Sequence, residues 1–228
     1  MKSRGQEDFV RLPGFAARLY DRLIRSKAID REYLEIAQDL ASTIDLGRVL
    51  DVGTGPGWML LKLYQLNSHI QLYGLDISEA MVQLARKNLA GIPADLRQGN
   101  IEHTDYEDGF FDIVTCAGSF YLWDRPEQCL DEIHRILKPG QTAYLYETYQ
   151  DYDADELREA LRENLKQEGL LRKLITPHFL KRQLKMTYVI KEMEAIIQRS
   201  RFNQNHALEK IRLGGLPIWL RIRLNKSA

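Results

Sequence analysis

The sequence predicts an α/β fold with a mostly parallel, doubly wound sheet. Three observations carry this prediction. Short apolar stretches alternate with segments of helical periodicity, a glycine-rich turn follows the first apolar stretch, and a glycine- and proline-rich hairpin signal lies near the C-terminus. Because each helical crossover returns the chain to the same edge of a sheet, strands connected in this way run parallel.

The first two thirds of the chain supply N-terminal helices and parallel strands. Residues 15–27 and 30–42 space their apolar residues three and four apart, which predicts two amphipathic helices. Ser78 is the predicted N-cap of the helix after the second strand, and the Pro-Gly of LKPG is expected to end the helix before the fifth. A polar loop is expected between the third and fourth strands. The five predicted strands cover residues 48–52, 69–75, 94–98, 110–116 and 142–147.

The last third of the chain predicts more helices and a hairpin. Helical periodicity covers 153–168 and 188–200, and a stretch near 170–186 is expected to be broken by Pro177. Strands at 202–212 and 217–225, joined by the turn LGGLP, add an antiparallel hairpin to the sheet, which then has seven strands. We therefore expect one domain over 1–228: N-terminal lid helices at 1–45, a cofactor-binding core at 46–150, a helical cap or insertion at 151–187, and a last helix with the hairpin at 188–228.

Composition narrows the class of protein. No stretch reaches the roughly 18–20 apolar residues that cross a bilayer, and the N-terminus lacks the apolar core of a secretory signal. We therefore expect a soluble, cytoplasmic protein without a membrane partner. Cys116 and Cys129 fit small buried residues in a reducing compartment. The five histidines show no ligand spacing, so no metal site is expected.

Charge is distributed unevenly along the chain. Residues 1–154 carry 16 basic and 24 acidic residues, a net charge of −8, whereas residues 155–228 carry 16 basic and 8 acidic residues, a net charge of +8. A basic segment can bind phosphate or another anion, and it can equally consist of helix faces in contact with solvent. An RNA or phosphorylated partner therefore stays open as an alternative.

The turn after the first predicted strand contains three glycines, in the sequence VLDVGTGPG at 49–57. Gly53 and Gly55 allow a tight reversal and let a ligand approach the backbone, and Gly57 is expected to open the next helix with its amides free. Ligands of open parallel sheets bind at the carboxyl ends of strands where the strand order reverses. The alternative is a turn that only packs tightly.

An acidic residue ends the second predicted strand. Asp76 lies 25 positions after Asp51, and its carboxylate can accept hydrogen bonds from both hydroxyls of a ribose; alternatively, it caps the following helix. A dinucleotide fingerprint starting at Gly53 would place its third glycine at position 58, which is Trp58. Asp51 would also repel a pyrophosphate, whereas it could receive an ammonium group. The pattern favours an adenosine ligand with a cationic amino-acid tail.

At these residues the chain resembles the class I S-adenosylmethionine-dependent methyltransferases, which have a Rossmann-like fold. DVGTGPG at 51–57 is similar to their glycine motif, LDIS at 75–78 to their ribose-binding acidic loop, and GNIE at 99–102 to their adenine-contacting segment. FDIVTCAGSFYLW at 111–123 and LDEIHRILKPGQTAYLYE at 130–147 are similar to their fourth and fifth strands with the intervening helix. The resemblance covers about residues 46–150.

The resemblance implies roles for particular residues around S-adenosylmethionine. Asp51 would lie near the amino group, Asp76 would bind the ribose hydroxyls, and Asn100 would bind the exocyclic nitrogen of adenine, unless its side chain satisfies local backbone. Tyr20 is similar to a tyrosine in the lids of many members. The implied cofactor-binding set is Tyr20, Asp51, Gly53, Thr54, Gly55, Gly57, Asp76, Ile77, Met81, Asn100, Ile101, Cys116 and Ala117.

The reaction implied by the resemblance is in-line displacement of the methyl group onto an acceptor. Alignment and exclusion of water supply most of the catalysis, so the catalytic residues are unknown and no dedicated base is required. A small-molecule acceptor is favoured, because CAGSFYLW lacks an N/D-P-P-Y type of segment. RNA methylation, NAD-dependent oxidation and nucleotide binding without catalysis remain alternatives. Candidates for a general base are His103, Asp124, Glu147 and Tyr149, and candidates for the pocket wall are Tyr20, Phe120, Tyr121 and Trp123.

Overall fold

The computed structural model describes residues 27–166 and 168–228. Tyr20 and nearly all of the predicted helix 15–27 lie outside these residues. The helices are α1 (Lys27–Ala41), α2 (Trp58–Leu66), α3 (Glu79–Asn88), α4 (Pro126–Ile136), α5 (Ala154–Leu165), α6 (Leu170–Leu184) and α7 (Ile190–Gln198). The strands are β1 (Gly47–Val52), β2 (Ile70–Asp76), β3 (Ala94–Gln98), β4 (Phe111–Ala117), β5 (Leu137–Thr148), β6 (His206–Leu213) and β7 (Leu216–Asn225).

The strands form one seven-stranded sheet in the order β3-β2-β1-β4-β5-β7-β6. Strands β1 to β5 pair in parallel, and β7 is antiparallel to both β5 and β6. The strand order reverses between β1 and β4, so a crevice opens at their carboxyl ends. Val52 is level with Cys116 on one side and with Leu75 on the other, which brings the ends of three strands to one place. The predicted fold class is confirmed.

Successive residues of each strand contribute to opposite faces of the sheet. Val49 and Ile113 belong to one buried cluster, and their neighbours Leu50 and Val114 belong to the other. All four are at most 3% exposed. This two-sided burial requires helices on both faces, which is why the central strands have apolar residues at consecutive positions.

Two predicted boundaries are wrong. Helix α6 continues through Pro177, although proline lacks an N–H donor and its ring crowds the carbonyl of Lys173. Lys173 lies on an exposed part of the helix, where water can satisfy this carbonyl. Strand β5 begins at Leu137 and contains the Pro-Gly pair that was expected to precede it. Its pairing with β4 shifts register between Phe111 and Ile113, and Pro139 is tolerated at this irregularity.

The hairpin is shorter than expected at its start and turns where predicted. Strand β6 begins at His206, and Gly214 and Gly215 form the turn with φ of 56° and 82°.

Within residues 27–166 and 168–228, none of the helices combines the length and the apolarity that a bilayer crossing requires. Both cysteines are buried and form no disulfide, in agreement with the sequence-based expectation.

Candidate active site

A cavity with about 990 Å³ of empty space, including its open mouth, lies at the carboxyl ends of β1, β2 and β4. We refer to it as the switch-point cavity, because it lies where the strand order reverses. The sequence-predicted residues that line it are Asp51, Gly53, Thr54, Gly55, Asp76, Ile77, Met81, Asn100, Ile101 and Ala117.

The glycines of the β1–α2 turn have different structural roles. Gly55 has a φ of 51°, and a Cβ built there would meet nothing closer than the Gly53 carbonyl oxygen at 4.0 Å, so its bare backbone faces open space. A Cβ on Gly53 would lie 2.2 Å from the Ser119 Oγ. Gly53 therefore makes room for the loop after β4, whereas Gly55 leaves room for a ligand.

Gly57 does not line the cavity. Its N–H donates to the Thr54 carbonyl at 2.9 Å, contrary to the expectation of a free amide. A Cβ at this position would lie 2.8 Å from Leu89 Cδ1, so the missing side chain allows close packing of α2 against α3. The structure thus assigns Gly57 a packing role in the same turn.

Asp76 connects the two loops that form the floor of the cavity. Its Oδ2 accepts from the Gly55 N–H at 2.8 Å, and its Oδ1 accepts from the Ser78 N–H at 2.9 Å. A carboxylate offers about four lone-pair positions, so two remain for ribose hydroxyls. Burial is the main cause that raises the pKa of Asp76, and the two backbone donors oppose it. Ser78 occupies the predicted N-cap position, but its hydroxyl makes no capping bond because Asp76 holds its backbone instead.

Asp51 is the most deeply buried acidic group of the cavity, at 2% exposure. Burial raises its pKa to about 7, the nearby Thr54 hydroxyl opposes this, and Asp76 adds to it. The Thr54 hydroxyl lies near enough to influence this pKa, yet its Oγ1 is buried without a hydrogen bond of normal geometry. A cationic group in the cavity would stabilise the ionised form of Asp51.

Asn100 and Ile101 line the far wall of the cavity, on the loop after β3. The Oδ1 of Asn100 accepts from the Glu102 N–H at 3.0 Å, which is the local backbone role left open in the sequence analysis. One lone pair of this oxygen is still free for an adenine amino group, so the two roles are compatible.

The loop after β4 is held from behind by a buried carboxyl group. Glu147 on β5 accepts from the Phe120 N–H at 2.7 Å, and Ser119 Oγ donates to the Val52 carbonyl at 3.2 Å. Glu147 is 0% exposed, and burial raises its pKa to about 8. Cys116 lies within this network, with its Sγ 3.0 Å from Ser119 Oγ, and not on the cavity wall. These contacts position the loop and leave Glu147 out of reach of a ligand in the switch-point cavity.

The remaining candidates for a general base also lie off this cavity. Tyr149 is buried and donates to the Pro217 carbonyl at 3.2 Å, and His103 lies on the exposed surface. Asp124 is half-buried and is not part of the cavity wall. Of the aromatic candidates, Tyr121 and Trp123 line the cavity, whereas Phe120 packs behind them with its ring centroid 5.0 Å from that of Trp123.

A second cavity, with about 930 Å³ of empty space including its mouth, adjoins the first. We call it the α1–α6 cavity, because these helices form two of its walls; the ends of β4, β5 and β7 supply the other lining residues within the described part of the chain. Tyr33, Ala117 and Gly118 line both cavities. Sequence reasoning did not identify Tyr33, Gly118 and Ser119 as residues of the switch-point cavity. Tyr33 is one tyrosine on an amphipathic helix, and Gly118 and Ser119 are small residues after a strand, so the sequence signal for each was weak.

The architecture and the switch-point cavity define a class I methyltransferase fold. Residues 50–145 match the family described as "Methyltransferase domain". The fold is similar to that of the plantazolicin methyltransferase BpumL in complex with a triazolic desmethylPZN analog and SAH, with a TM-score of 0.72, 15% identity and coverage of 99% of this chain and 96% of that one. The predicted resemblance to the class I S-adenosylmethionine-dependent methyltransferases is confirmed over residues 50–145 and at the level of the fold.

Two curated proteins illustrate the extent of the sequence similarity. The uncharacterized methyltransferase YdaC of Bacillus subtilis is 33% identical over 107 residues, which cover 47% of this chain and 58% of that protein. The ubiquinone/menaquinone biosynthesis C-methyltransferase UbiE of Geobacter sulfurreducens is 37% identical over 136 residues, which cover 56% of this chain and 53% of that protein. The chain thus spans little more than half the length of these relatives.

Among the described residues, no group of His, Cys, Asp or Glu side chains could hold a metal ion.

Proposed function

We propose that this protein transfers a methyl group from S-adenosylmethionine to a small-molecule acceptor. The observation that carries the proposal is the combination of Gly55 and two acidic residues around one cavity. Gly55 leaves open space, Asp76 keeps free lone pairs, and Asp51 is a buried carboxyl group whose pKa near 7 suits a cationic partner. These residue types fit the amino-acid tail, the ribose and the backbone approach of an adenosyl ligand.

Each part of the cofactor has a counterpart in the cavity wall. Asp51 would bind the ammonium group, Asp76 the ribose hydroxyls, and Ile77, Met81, Asn100 and Ile101 the adenine. When bound, the sulfonium supplies an already activated methyl group. The protein's own residues then have to align the acceptor and exclude water, which is what Tyr121 and Trp123 on the cavity wall and the loop held by Glu147 can do.

The cavities and the relatives support a small molecule as acceptor. The α1–α6 cavity adjoins the switch-point cavity and is lined by helices and strand ends. UbiE of Geobacter sulfurreducens, which is named as a quinone-biosynthesis C-methyltransferase, is similar over 56% of this chain.

The alternative of an RNA acceptor is weakened by the ion pairs of the basic C-terminal third. Arg199 pairs with Glu127, Arg212 with Glu156, and Arg221 with both Asp39 and Glu209. The expected cytoplasmic location stays a prediction.

Calorimetry with S-adenosylhomocysteine and NAD tests the proposal directly. We expect S-adenosylhomocysteine to bind and NAD not to bind, because Trp58 replaces the third glycine of a dinucleotide fingerprint and Asp51 would repel a pyrophosphate. Radiolabelled methyl transfer to fractions of a cell extract then separates an enzyme from a passive binder. Binding of NAD without S-adenosylhomocysteine would refute the proposal.

A further inference from the structure

The α1–α6 cavity contains a buried carboxyl group that the switch-point cavity does not use. Glu32 on α1 is 8% exposed and lies in a wall made mostly of apolar side chains, including Ile29, Ile36, Leu180 and Ile218. An acidic residue is rarely buried without a partner or a task, because its charged form loses its hydration. The role of Glu32 therefore needs an explanation.

Two further polar groups of this cavity have no hydrogen-bond partner among the described residues. They are the Nε1 of Trp219 and the Oγ1 of Thr148, and both side chains are more than nine-tenths buried. The Trp219 indole lies near enough to Glu32 to affect its pKa without making a hydrogen bond of normal geometry. Buried donors and acceptors are normally satisfied, so two unpaired side-chain atoms in a cavity that also contains a buried carboxyl group are positions at which a ligand group can be bound.

The chemistry of the cluster specifies the ligand group. The carboxylate form of Glu32 accepts a hydrogen bond, whereas the indole of Trp219 only donates one. A hydroxyl oxygen can donate to Glu32 and accept from Trp219 at the same time, whereas an ammonium group has no lone pair for the indole. The surrounding wall is apolar, with Phe179, which is 44% exposed, among the lining residues. The matching ligand is an apolar compound with a hydroxyl group, and a phenol is the class of such compounds whose hydroxyl is acidic enough to give its proton to a carboxylate.

We propose that the α1–α6 cavity binds a phenol-type methyl acceptor and that Glu32 takes the proton of its hydroxyl group. This inference rests on the proposed methyltransferase function. The O–H bond breaks and its proton moves to Glu32. The electron pair left on the acceptor forms the bond to the methyl carbon, the carbon–sulfur bond breaks, and its pair neutralises the sulfonium. Tyr33, Ala117 and Gly118, which line both cavities, mark where the methyl group crosses.

The position of Glu32 is fixed by the anchoring of α1. Glu35 accepts from the Gly214 N–H at 2.7 Å, and Asp39 accepts from the Tyr146 hydroxyl at 2.6 Å and from Arg221. These bonds attach the helix to β5, β7 and the hairpin turn, so the Glu32 side chain meets the cavity from a rigid element. A proton acceptor needs this kind of fixed placement.

The protonation of Glu32 suits proton transfer near neutral pH. Burial raises its pKa to about 8, Glu35 adds to this, and Trp219 opposes it. Among the described residues that line the cavity, Tyr33 is the only other titratable side chain, and the lining residues from α6 and the strand ends are uncharged. The carboxylate fraction therefore rises about tenfold per pH unit below pH 8.

The test uses phenol, catechol and hydroquinone as acceptor probes with radiolabelled S-adenosylmethionine, between pH 6 and pH 9. The wild-type rate should rise about tenfold per pH unit and level off above pH 8. Glu32→Gln should lower the rate by about 10²–10⁴-fold and flatten the pH profile, while S-adenosylhomocysteine affinity stays within about twofold. Asp30→Asn, an exposed change on the same helix that lies outside the cavity and pairs with Lys62, should keep the wild-type rate and profile.

A binding measurement covers the case in which the Glu32 variant does not fold. Leu180→Trp places a large side chain in the α1–α6 cavity and should abolish phenol binding in calorimetry, with unchanged binding of S-adenosylhomocysteine. Phenol binding that survives Leu180→Trp, a Glu32→Gln enzyme with the wild-type rate, or no phenol bound or methylated by a wild type that binds S-adenosylhomocysteine would each overturn the inference. A wild type that binds no S-adenosylhomocysteine would instead refute the proposed function.

Discussion

The affinity for the cofactor product should depend on the protonation of Asp51. Its pKa of about 7 means that about nine tenths of the free protein carries a protonated Asp51 at pH 6. An ammonium group at about 4 Å contributes about 4 kcal/mol at a dielectric constant near 20, or about three pKa units, so the carboxylate is ionised in the complex. We therefore expect S-adenosylhomocysteine to bind about tenfold more tightly at pH 8 than at pH 6, a difference of about 1.4 kcal/mol.

Proton release distinguishes this mechanism from a general effect of pH. Calorimetry in buffers of different ionisation enthalpy should show about 0.9 proton released per S-adenosylhomocysteine at pH 6 and about 0.1 at pH 8. Asp51→Asn should bind more weakly and should abolish both the proton release and the pH dependence. Asp105→Asn, on an exposed loop, serves as the control and should behave as wild type.

The result that refutes this reasoning is specific. If Asp51→Asn released as many protons at pH 6 as the wild type does, the titrating group would be another residue, and Asp51 would not contact the ammonium group. Asp76 is the alternative source, because burial also raises its pKa. A proton release that disappears in Asp76→Asn but persists in Asp51→Asn would identify it.

Three further changes probe the walls of the switch-point cavity. Asp76→Ala removes the acceptor of two backbone N–H groups and of the ribose, so S-adenosylhomocysteine affinity should fall by about 1–3 kcal/mol in calorimetry, whereas Ser78→Ala should change it little. Gly55→Val places a side chain in the open space and should abolish binding; a folded variant with wild-type affinity would contradict the site. Glu147→Gln should reduce the loss of unfolding free energy between pH 5 and pH 8 by about 3.5 kcal/mol in urea titrations, since the folded-state pKa of Glu147 is raised to about 8 and its stabilisation is lost as pH rises toward that value.

The order and type of the elements could be predicted because they depend on local patterns. The five parallel strands lie within a few residues of their predicted positions, except that β5 begins at Leu137. That strand shows where local reasoning fails: Pro139 and Gly140 resemble a stop signal, and only the register shift opposite β4 makes an extended path through them possible. Helix α6 continues through Pro177 because the carbonyl of Lys173, which loses its hydrogen-bond partner, is exposed, so the loss costs little free energy.

A site residue could be predicted from sequence only where its role follows from the turn or strand end in which it lies. Gly55 and Asp76 are recognisable from sequence because their roles follow from a turn and a strand end. Tyr33 and Glu32 are not, because their place in the cavities depends on how α1 packs across the sheet edge. Gly57 and Cys116 match the sequence motif as well as Gly55 and Asp76 do, but neither lines the switch-point cavity. Gly57 packs against α3, and the Cys116 side chain contacts Ser119.

Three buried carboxyl groups lie in or behind the two cavities, and burial raises the pKa of each. Asp51 lies in the switch-point cavity, Glu32 in the α1–α6 cavity, and Glu147 behind the loop after β4. Each lowers the stability of the free protein as pH rises from the ordinary carboxyl pKa to its own raised pKa. The cost of burying Glu147 is accompanied by a structural gain, because its Oε1 accepts from the Phe120 N–H and so fixes the loop after β4. Thr54 and Trp219 offset only part of the cost for Asp51 and Glu32, and in our proposals the ligands of the two cavities offset more of it, one with a positive charge and the other with a hydroxyl proton.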